Sequence, residues 1–533
     1  MRCILKRKLL LLSTYILVAG LTLGCGQTTE PQEPPAAEET ANPEQPDMSS
    51  PVNPTGGISP YYKEPNLDES DDDTNPEASP EADDTNPISA SVYNESEPAD
   101  TAGPTEDIKP AVTERVSRDV YVATYGSDLN DGTEEYPFRT IQKGLDSVTP
   151  GHTVFIKSGI YFGKNTFTNS GTEDGYITVA AMPLQNVVVT LGYGESGAIF
   201  DINGQSNILI RELRIGYSRS DWVYGVYMHG GEHNIIVTDN DICNLATYNR
   251  SGYGYGGAYG VLMYGQGPDE ESAISNISID NNRVYTIETG NCEAIAASGN
   301  CDNINISSNV VYDIMNIGID LYGNADYCTN PALDQPRFCT VRDNTVYNCV
   351  RDNYAVAGIY VDGARDIEIS GNVVYENMYG ILVCSEHRDD NYPVTNIYID
   401  NNEIHDNHDG GIAFGGYDTT LAGLVKDSEI TNNRLYNNGQ FANDGWNGEI
   451  DIEKCSNIII RDNVVTAHDY RYPVIGSQAS ADFIHDVSFI NNAYITGDPE
   501  KIRFQFAGAN YRGLTAWNKA VNGTDTNTKE ESK

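Results

Sequence analysis

The chain has 533 residues, with 33 Lys and Arg against 77 Asp and Glu, a formal net charge of −44, and 50 Gly, 24 Pro and 35 Tyr. So acidic a balance excludes nucleic acid and a bare anionic membrane surface as partners, since both need a basic patch that displaces counterions. The length accommodates several ordinary domains or one long solenoid, and composition does not choose between them.

The N-terminus opens with Arg2, Lys6, Arg7 and Lys8, followed by the apolar runs 9–12 and 15–23 and small residues before Cys25. This is short for a membrane span and reads as a targeting segment. Thr22-Leu23-Gly24-Cys25 resembles the end of a bacterial lipoprotein signal. The resemblance implies a signal peptide over 1–25, lipid on Cys25, and anchoring on the outer side of a bacterial membrane, at the cell surface or in the periplasm. Plain secretion with cleavage nearby is the alternative.

Residues 26–117 carry 22 Asp and Glu against Lys63, Lys109 and Arg115, and 15 of the prolines fall within 26–114. Such a segment buries too little apolar surface to offset its chain entropy, and its like charges extend it. We expect a disordered acidic tether.

Order is expected from Asp119. Val120-Tyr121-Val122-Ala123 alternates as a strand, 126–133 has turn chemistry, 141–145 reads as a short helix, and 153–156 as a further strand. The stretch 121–161 resembles the N-terminal cap of secreted right-handed parallel β-helix proteins, among them polysaccharide lyase family 9. A cap of this kind covers the open end of a solenoid core.

A repeat follows. Asn-x-aliphatic-Tyr recurs as Asn282-Arg-Val-Tyr285, Asn309-Val-Val-Tyr312, Asn344-Thr-Val-Tyr347, Asn372-Val-Val-Tyr375 and Asn433-Arg-Leu-Tyr436, with variants at Asn402 and Asn463. Successive asparagines lie 27, 35, 28, 30, 31 and 30 residues apart. Alternating apolar residues precede each one, and a second short strand follows, as in Gly318-Ile-Asp-Leu321 and Gly358-Ile-Tyr-Val361. Short strands at a fixed repeat with no helix between them specify an all-β, single-stranded parallel β-helix, right-handed by the crossover rule. The reading gives about ten coils over 118–515, a polar tail over 516–533, and the repeated asparagines stacked as an internal ladder. Of ten cysteines, Cys292 with Cys301 and Cys328 with Cys339 are close enough in sequence to staple single loops in an oxidising compartment.

On a solenoid only outward strand positions and loops meet a ligand. In the second-strand stack these positions are Asp320 and Tyr322, Tyr360 and Asp362, Cys384 and Glu386, then Ala413, Gly415 and Tyr417, with Glu449, Asp451 and Glu453 one coil later. Neighbouring strands lie ~4.8 Å apart, so acids on adjacent coils fall in the range of paired-carboxylate glycosidases. Asp362 and Glu386 are the favoured pair, with Asp320 and His387 as helpers. Tyr322, Tyr360, Tyr417, Asp418, Glu449, Asp451, Trp446 and Arg388 are candidate substrate-binding residues. Gly358-Ile-Tyr-Val-Asp362 and Val383-Cys-Ser-Glu-His387 resemble the acid-bearing strands of β-helix glycoside hydrolases of the β-xylosidase type. That likeness implies a strand-end Asp nucleophile and a Glu acid one coil on.

The expected function is a lipid-anchored, monomeric enzyme cleaving glycosidic bonds of a polysaccharide or oligosaccharide, with no cofactor required. The alternative is a calcium-assisted polysaccharide lyase. The lyase family's base is a lysine on the solenoid, and 165–425 contains none; Arg351, Arg365 or Arg388 would have to substitute, with Asp389, Asp390 or Asp418 holding calcium. A third reading is a surface carbohydrate-binding or adhesin solenoid without catalysis.

Overall fold

The computed structural model describes residues 115–528 except 252–254, 352–353, 388–390, 417–422, 440–447 and 468. The calls on Cys25, on the tether before residue 115, and on Arg388, Tyr417, Asp418 and Trp446 lie outside the described residues.

The period-2 runs become short strands that wind into three sheets of thirteen strands each. Every coil gives one strand to each sheet in turn. Cys301–Ser307 lies in the first, Val310–Ile314 in the second and Ile317–Tyr322 in the third, before Arg337–Arg342 returns to the first. Among the described residues the strands pair in parallel, except that Arg503–Phe506 meets Ala509–Arg512 antiparallel and closes the third sheet. The fold is a right-handed parallel β-helix, with thirteen strands per sheet where the sequence repeat suggested about ten coils.

β-Branched residues in register build the core, because identical positions on successive coils sit directly above one another. Val237, Ile279, Ile306, Val341, Ile369 and Ile399 form one such column, all of them fully buried. Expected elements at the start form as read. Val120–Val122 pairs with Thr153–Ile156, and Thr140 caps the helix Ile141–Ser147 by accepting from the Lys143 N–H.

The asparagine ladder is present and longer than the repeat showed. It runs from Asn240 through Asn282, Asn309, Asn344, Asn372, Asn402, Asn433, Asn463 and Asn492 to Asp525. At Asn372 the side-chain Nδ2 donates to Asn402 Oδ1 and to the Val341 carbonyl, each at 2.9 Å, while its backbone N–H donates to the same Asn402 oxygen. Each asparagine of the ladder follows a residue in the left-handed region, such as Asp343 at φ 56° and Asn401 at φ 55°, which makes the sharp corner between the first two sheets. The repeat's tyrosines form a second column on the outer face of the second sheet. Tyr285, Tyr312, Tyr347, Tyr375, His405 and Tyr436 stack with nearly parallel rings.

Two expectations are corrected here. The solenoid does not end at 515: Trp517 of the helix Leu514–Val521 is fully buried in the core, and Thr526–Thr528 extends the second sheet beside Ala493–Ile495. Apolar Leu514 and Trp517 anchor a segment that composition alone marks as polar. The cysteine staples do not form either, because Cys301, Cys328 and Cys339 are free thiols. Cys301 and Cys339 serve as small apolar core residues.

Candidate functional site

The third sheet carries the site. Its strands Ile317–Tyr322, Ala357–Asp362 and Tyr379–Cys384 lie on consecutive coils, with Ile319, Ile359 and Ile381 in register and pointing into the core. Alternation therefore sends Asp320, Tyr322, Tyr360, Asp362 and Cys384 outward, as the sequence pattern predicts. Tyr322 stands opposite Asp362, which stands opposite Cys384; Asp320 stands opposite Tyr360. Asp320 and Asp362 are thus offset by one strand and two residues, about 8 Å at the backbone. Glu386 lies two residues past Cys384, in a bend where the strand Tyr379–Cys384 has ended.

Asp362 Oδ1 accepts from the backbone N–H of Glu386 at 2.7 Å. The Tyr360 hydroxyl lies 2.9 Å from Cys384 Sγ and 3.4 Å from Glu386 Oε1. Burial, and then the negative charge of Asp362, pushes the Cys384 thiol well above its ordinary pKa, with Glu386 and Asp320 adding smaller pushes and the Tyr360 hydrogen bond opposing them. His387 closes the far side: its carbonyl accepts from Ser385 Oγ at 2.7 Å, and its ring lies 6.1 Å from that of Tyr322.

Burial departs from what outward alternation suggests. Asp320 and Asp362 are fully buried, while Glu386 and His387 are half-buried, so the site opens on the Glu386–His387 side. Tyr360 is 1 % exposed and presents no face to a sugar. Its hydroxyl instead lies between Cys384 Sγ and Glu386 Oε1.

Two predicted binding residues lie elsewhere. Glu449 sits in a corner rather than on the sheet face, where it accepts from the Asn438 side chain at 2.6 Å and ends a second asparagine ladder of Asn377, Asn407 and Asn438. That ladder has its own sequence signal, since each member falls five residues after a member of the first. Asp451 shares the column of Asp320 through Tyr360, Leu382 and Ala413, which is four strand spacings, about 19 Å, away. It is 1 % exposed and accepts from the Gly448 N–H.

Two of the three arginines considered as lyase bases, Arg351 and Arg365, are engaged elsewhere. Arg351 holds the Ser251 carbonyl at 2.9 Å and stacks over Tyr354, and Arg365 opens a strand of the first sheet and pairs with Asp366. Among the described residues no three His, Cys, Asp or Glu side chains group to hold a metal ion.

The family model of the right-handed beta helix region matches residues 327–496. The protein YwoF of Bacillus subtilis (strain 168), uncharacterised by its name, is 33% identical over 370 residues, covering 66% of this chain and 75% of that protein. Among solved structures, the chain is similar to the A-module of the Azotobacter vinelandii mannuronan C-5 epimerase AlgE6, with a TM-score of 0.47 and 14% identity over 71% of this chain and 90% of that one. A structure described as a glycoside hydrolase gives a TM-score of 0.43 and 11% identity over 70% and 96% of the two chains. Likenesses this distant carry no argument about activity.

Proposed function

The chain belongs to the family of the Bacillus subtilis protein YwoF, and for its β-helix we propose a polysaccharide-cleaving activity carried by Asp362 and Glu386, with Asp320 beside them. The observation that supports this reading most is the placement of Asp320, Asp362 and Glu386 on three consecutive coils of one sheet face, with the Asp362 carboxylate accepting from the Glu386 N–H at 2.7 Å. Solvated surface acids keep apart and stay wet. Burying an ionised carboxylate costs several kcal/mol, so two fully buried aspartates on one sheet face beside a half-open Glu are an arrangement that packing alone disfavours.

Glu386, at the half-open edge and beside the Tyr360 hydroxyl, protonates the leaving oxygen as the general acid. Asp362, one coil down and accepting from the Glu386 N–H, stays ionised and serves as the nucleophile or base. A neutral glycan suits the site better than a polyuronate, because three carboxylates repel a polyanion. That, with Arg351 and Arg365 engaged elsewhere, places hydrolysis ahead of calcium-assisted elimination. A lipid on Cys25 would hold the enzyme at the outer side of the membrane. Kinetics of Asp362→Asn and Glu386→Gln on a cleaved glycan test the assignment, and azide rescue of one variant distinguishes a retaining nucleophile from an inverting base.

A further inference from the structure

Residues 323–336 separate the strand Ile317–Tyr322 from Arg337–Arg342. That is long for a connection with no strand or helix of its own, and such insertions are usually functional. The segment is braced along its length. The Gly323 N–H donates to the Asp362 carbonyl at 2.7 Å, and Asn324 Nδ2 to the Tyr392 carbonyl at 3.0 Å. Buried Asp334 accepts from the N–H groups of Asp326 at 2.7 Å and Cys328 at 3.0 Å, and buried Gln335 donates to the Gly363 carbonyl at 2.8 Å. These bonds fix the path of the insertion, and with it the position of its one aromatic residue, Tyr327.

Register shows where that ring stands. Tyr264, Ser298, Tyr322, Asp362 and Cys384 occupy one column along the solenoid axis. Tyr264 and Tyr322 are two strand spacings apart, about 10 Å. The Tyr327 ring centroid lies 5.0 Å from that of Tyr264 and 5.3 Å from that of Tyr322, edge-on to both. It therefore stands midway between them, above Ser298, which is only 4% exposed, and Tyr322 is only 5% exposed. The neighbouring column is closed at the same level, since Ala296 and Asp320 are fully buried. On the other side of Asp362 the side chains that follow are smaller: Cys384 in this column, Leu382 and Ala413 in the next. The raised rings thus lie on one side of Asp362, and solvent reaches the carboxylates at half-buried Glu386 and His387.

A glycan running along the axis past Asp362 would have to cross the next two coils, where Tyr322 and Tyr327 already fill the space. We propose that Tyr327 is a specificity-determining residue that ends the substrate cleft on the N-terminal side of Asp362, so that the protein takes a neutral glycan by a free chain end and releases short units of one length. This rests on the hydrolase reading and adds to it the class of substrate, chain ends instead of chain interiors.

The test compares the wild-type full chain with Tyr327→Phe and Tyr327→Ala on soluble xylan, glucomannan, β-glucan and arabinan, following viscosity, reducing ends and product length in the same samples. The wild type is expected to release one short product from the start while viscosity stays nearly constant. Tyr327→Phe keeps the ring and should keep that pattern. Tyr327→Ala opens the space over Ser298 and should add products longer than the wild-type unit, with an earlier fall in viscosity at the same number of reducing ends. Viscosity that collapses in the wild type before reducing ends accumulate overturns the end wall and leaves the hydrolase reading standing, and this outcome decides even where Tyr327→Ala does not fold. Product lengths unchanged in a Tyr327→Ala protein that melts as the wild type does overturn the role of Tyr327. Reducing ends from none of the four polymers, with any of the three proteins, remove the hydrolase reading and this inference with it.

Discussion

The backbone N–H of Glu386 donates to the carboxylate of Asp362 at 2.7 Å, tying the two acids of the candidate pair together across neighbouring coils. One consequence is that Asp362 works in two ways, as a reacting group and as the acceptor that shapes the turn carrying Glu386. The two variants should therefore separate. Glu386→Gln is expected to lower kcat by at least about 10²-fold with little change in thermal midpoint, whereas Asp362→Asn should lower kcat similarly and also destabilise, because a buried charge-assisted acceptor is weakened. Steady-state kinetics with parallel melting curves check both. Equal melting of the two variants would contradict the coupling.

Tyr360 should act through Glu386. Tyr360→Phe removes the hydroxyl shared by Cys384 and Glu386 while keeping the ring, so the basic-side limb of the kcat pH profile is expected to move while KM stays near wild type. A rise in KM with an unmoved pH profile would return Tyr360 to a binding role.

The asparagine ladder should dominate stability locally. Asn372 is 1 % exposed and joins Asn344, Asn402 and the Val341 carbonyl. Asn372→Ala leaves several buried polar groups unpaired and should cost about 2–5 kcal/mol in denaturant unfolding. Asn372→Asp should be similarly costly at neutral pH, since it replaces a donor with a charge. Tolerance of both substitutions would contradict the ladder.

Glu453 gives the pH dependence a definite sign. Burial pushes its carboxyl from 4.5 up to about 7, against the lowering effect of backbone N–H bonds from Gln478 and Ala479. The folded protein then binds the proton more tightly than the unfolded chain. The group's contribution is fully present below about pH 4.5 and is lost as pH rises through 7. Glu453→Gln should flatten the fall of stability between these limits, measured as unfolding midpoints over pH 4.5–7.5.

How much of this was legible can be judged at particular residues. Asn282 to Asn463 announced the ladder because a stacked amide has to recur once per coil, and the outward direction of Asp320, Asp362 and Cys384 followed from period-2 alternation. Burial of those same residues did not follow, because alternation gives a direction and says nothing of what covers it. Glu449 was misplaced because alternation was carried through a corner where strand geometry had ended. Trp517 was missed because a short cap helix needs only two apolar residues in an otherwise polar tail.

For the anchor, Cys25→Ala should move the protein from the membrane fraction to the medium with its fold unchanged by circular dichroism. Retention of the variant in the membrane fraction would remove the lipid reading.

The central claim is tested most directly by incubating the full chain with a panel of polysaccharides, neutral and uronate, and measuring reducing ends and unsaturated-uronate absorbance in the same samples, with and without chelator. The account predicts reducing ends from a neutral polymer, no new absorbance, no effect of chelator, and loss of at least about 10²-fold in rate with Glu386→Gln. Absorbance that grows with the reducing ends and disappears on chelation, or turnover indifferent to both Asp362→Asn and Glu386→Gln, would contradict it.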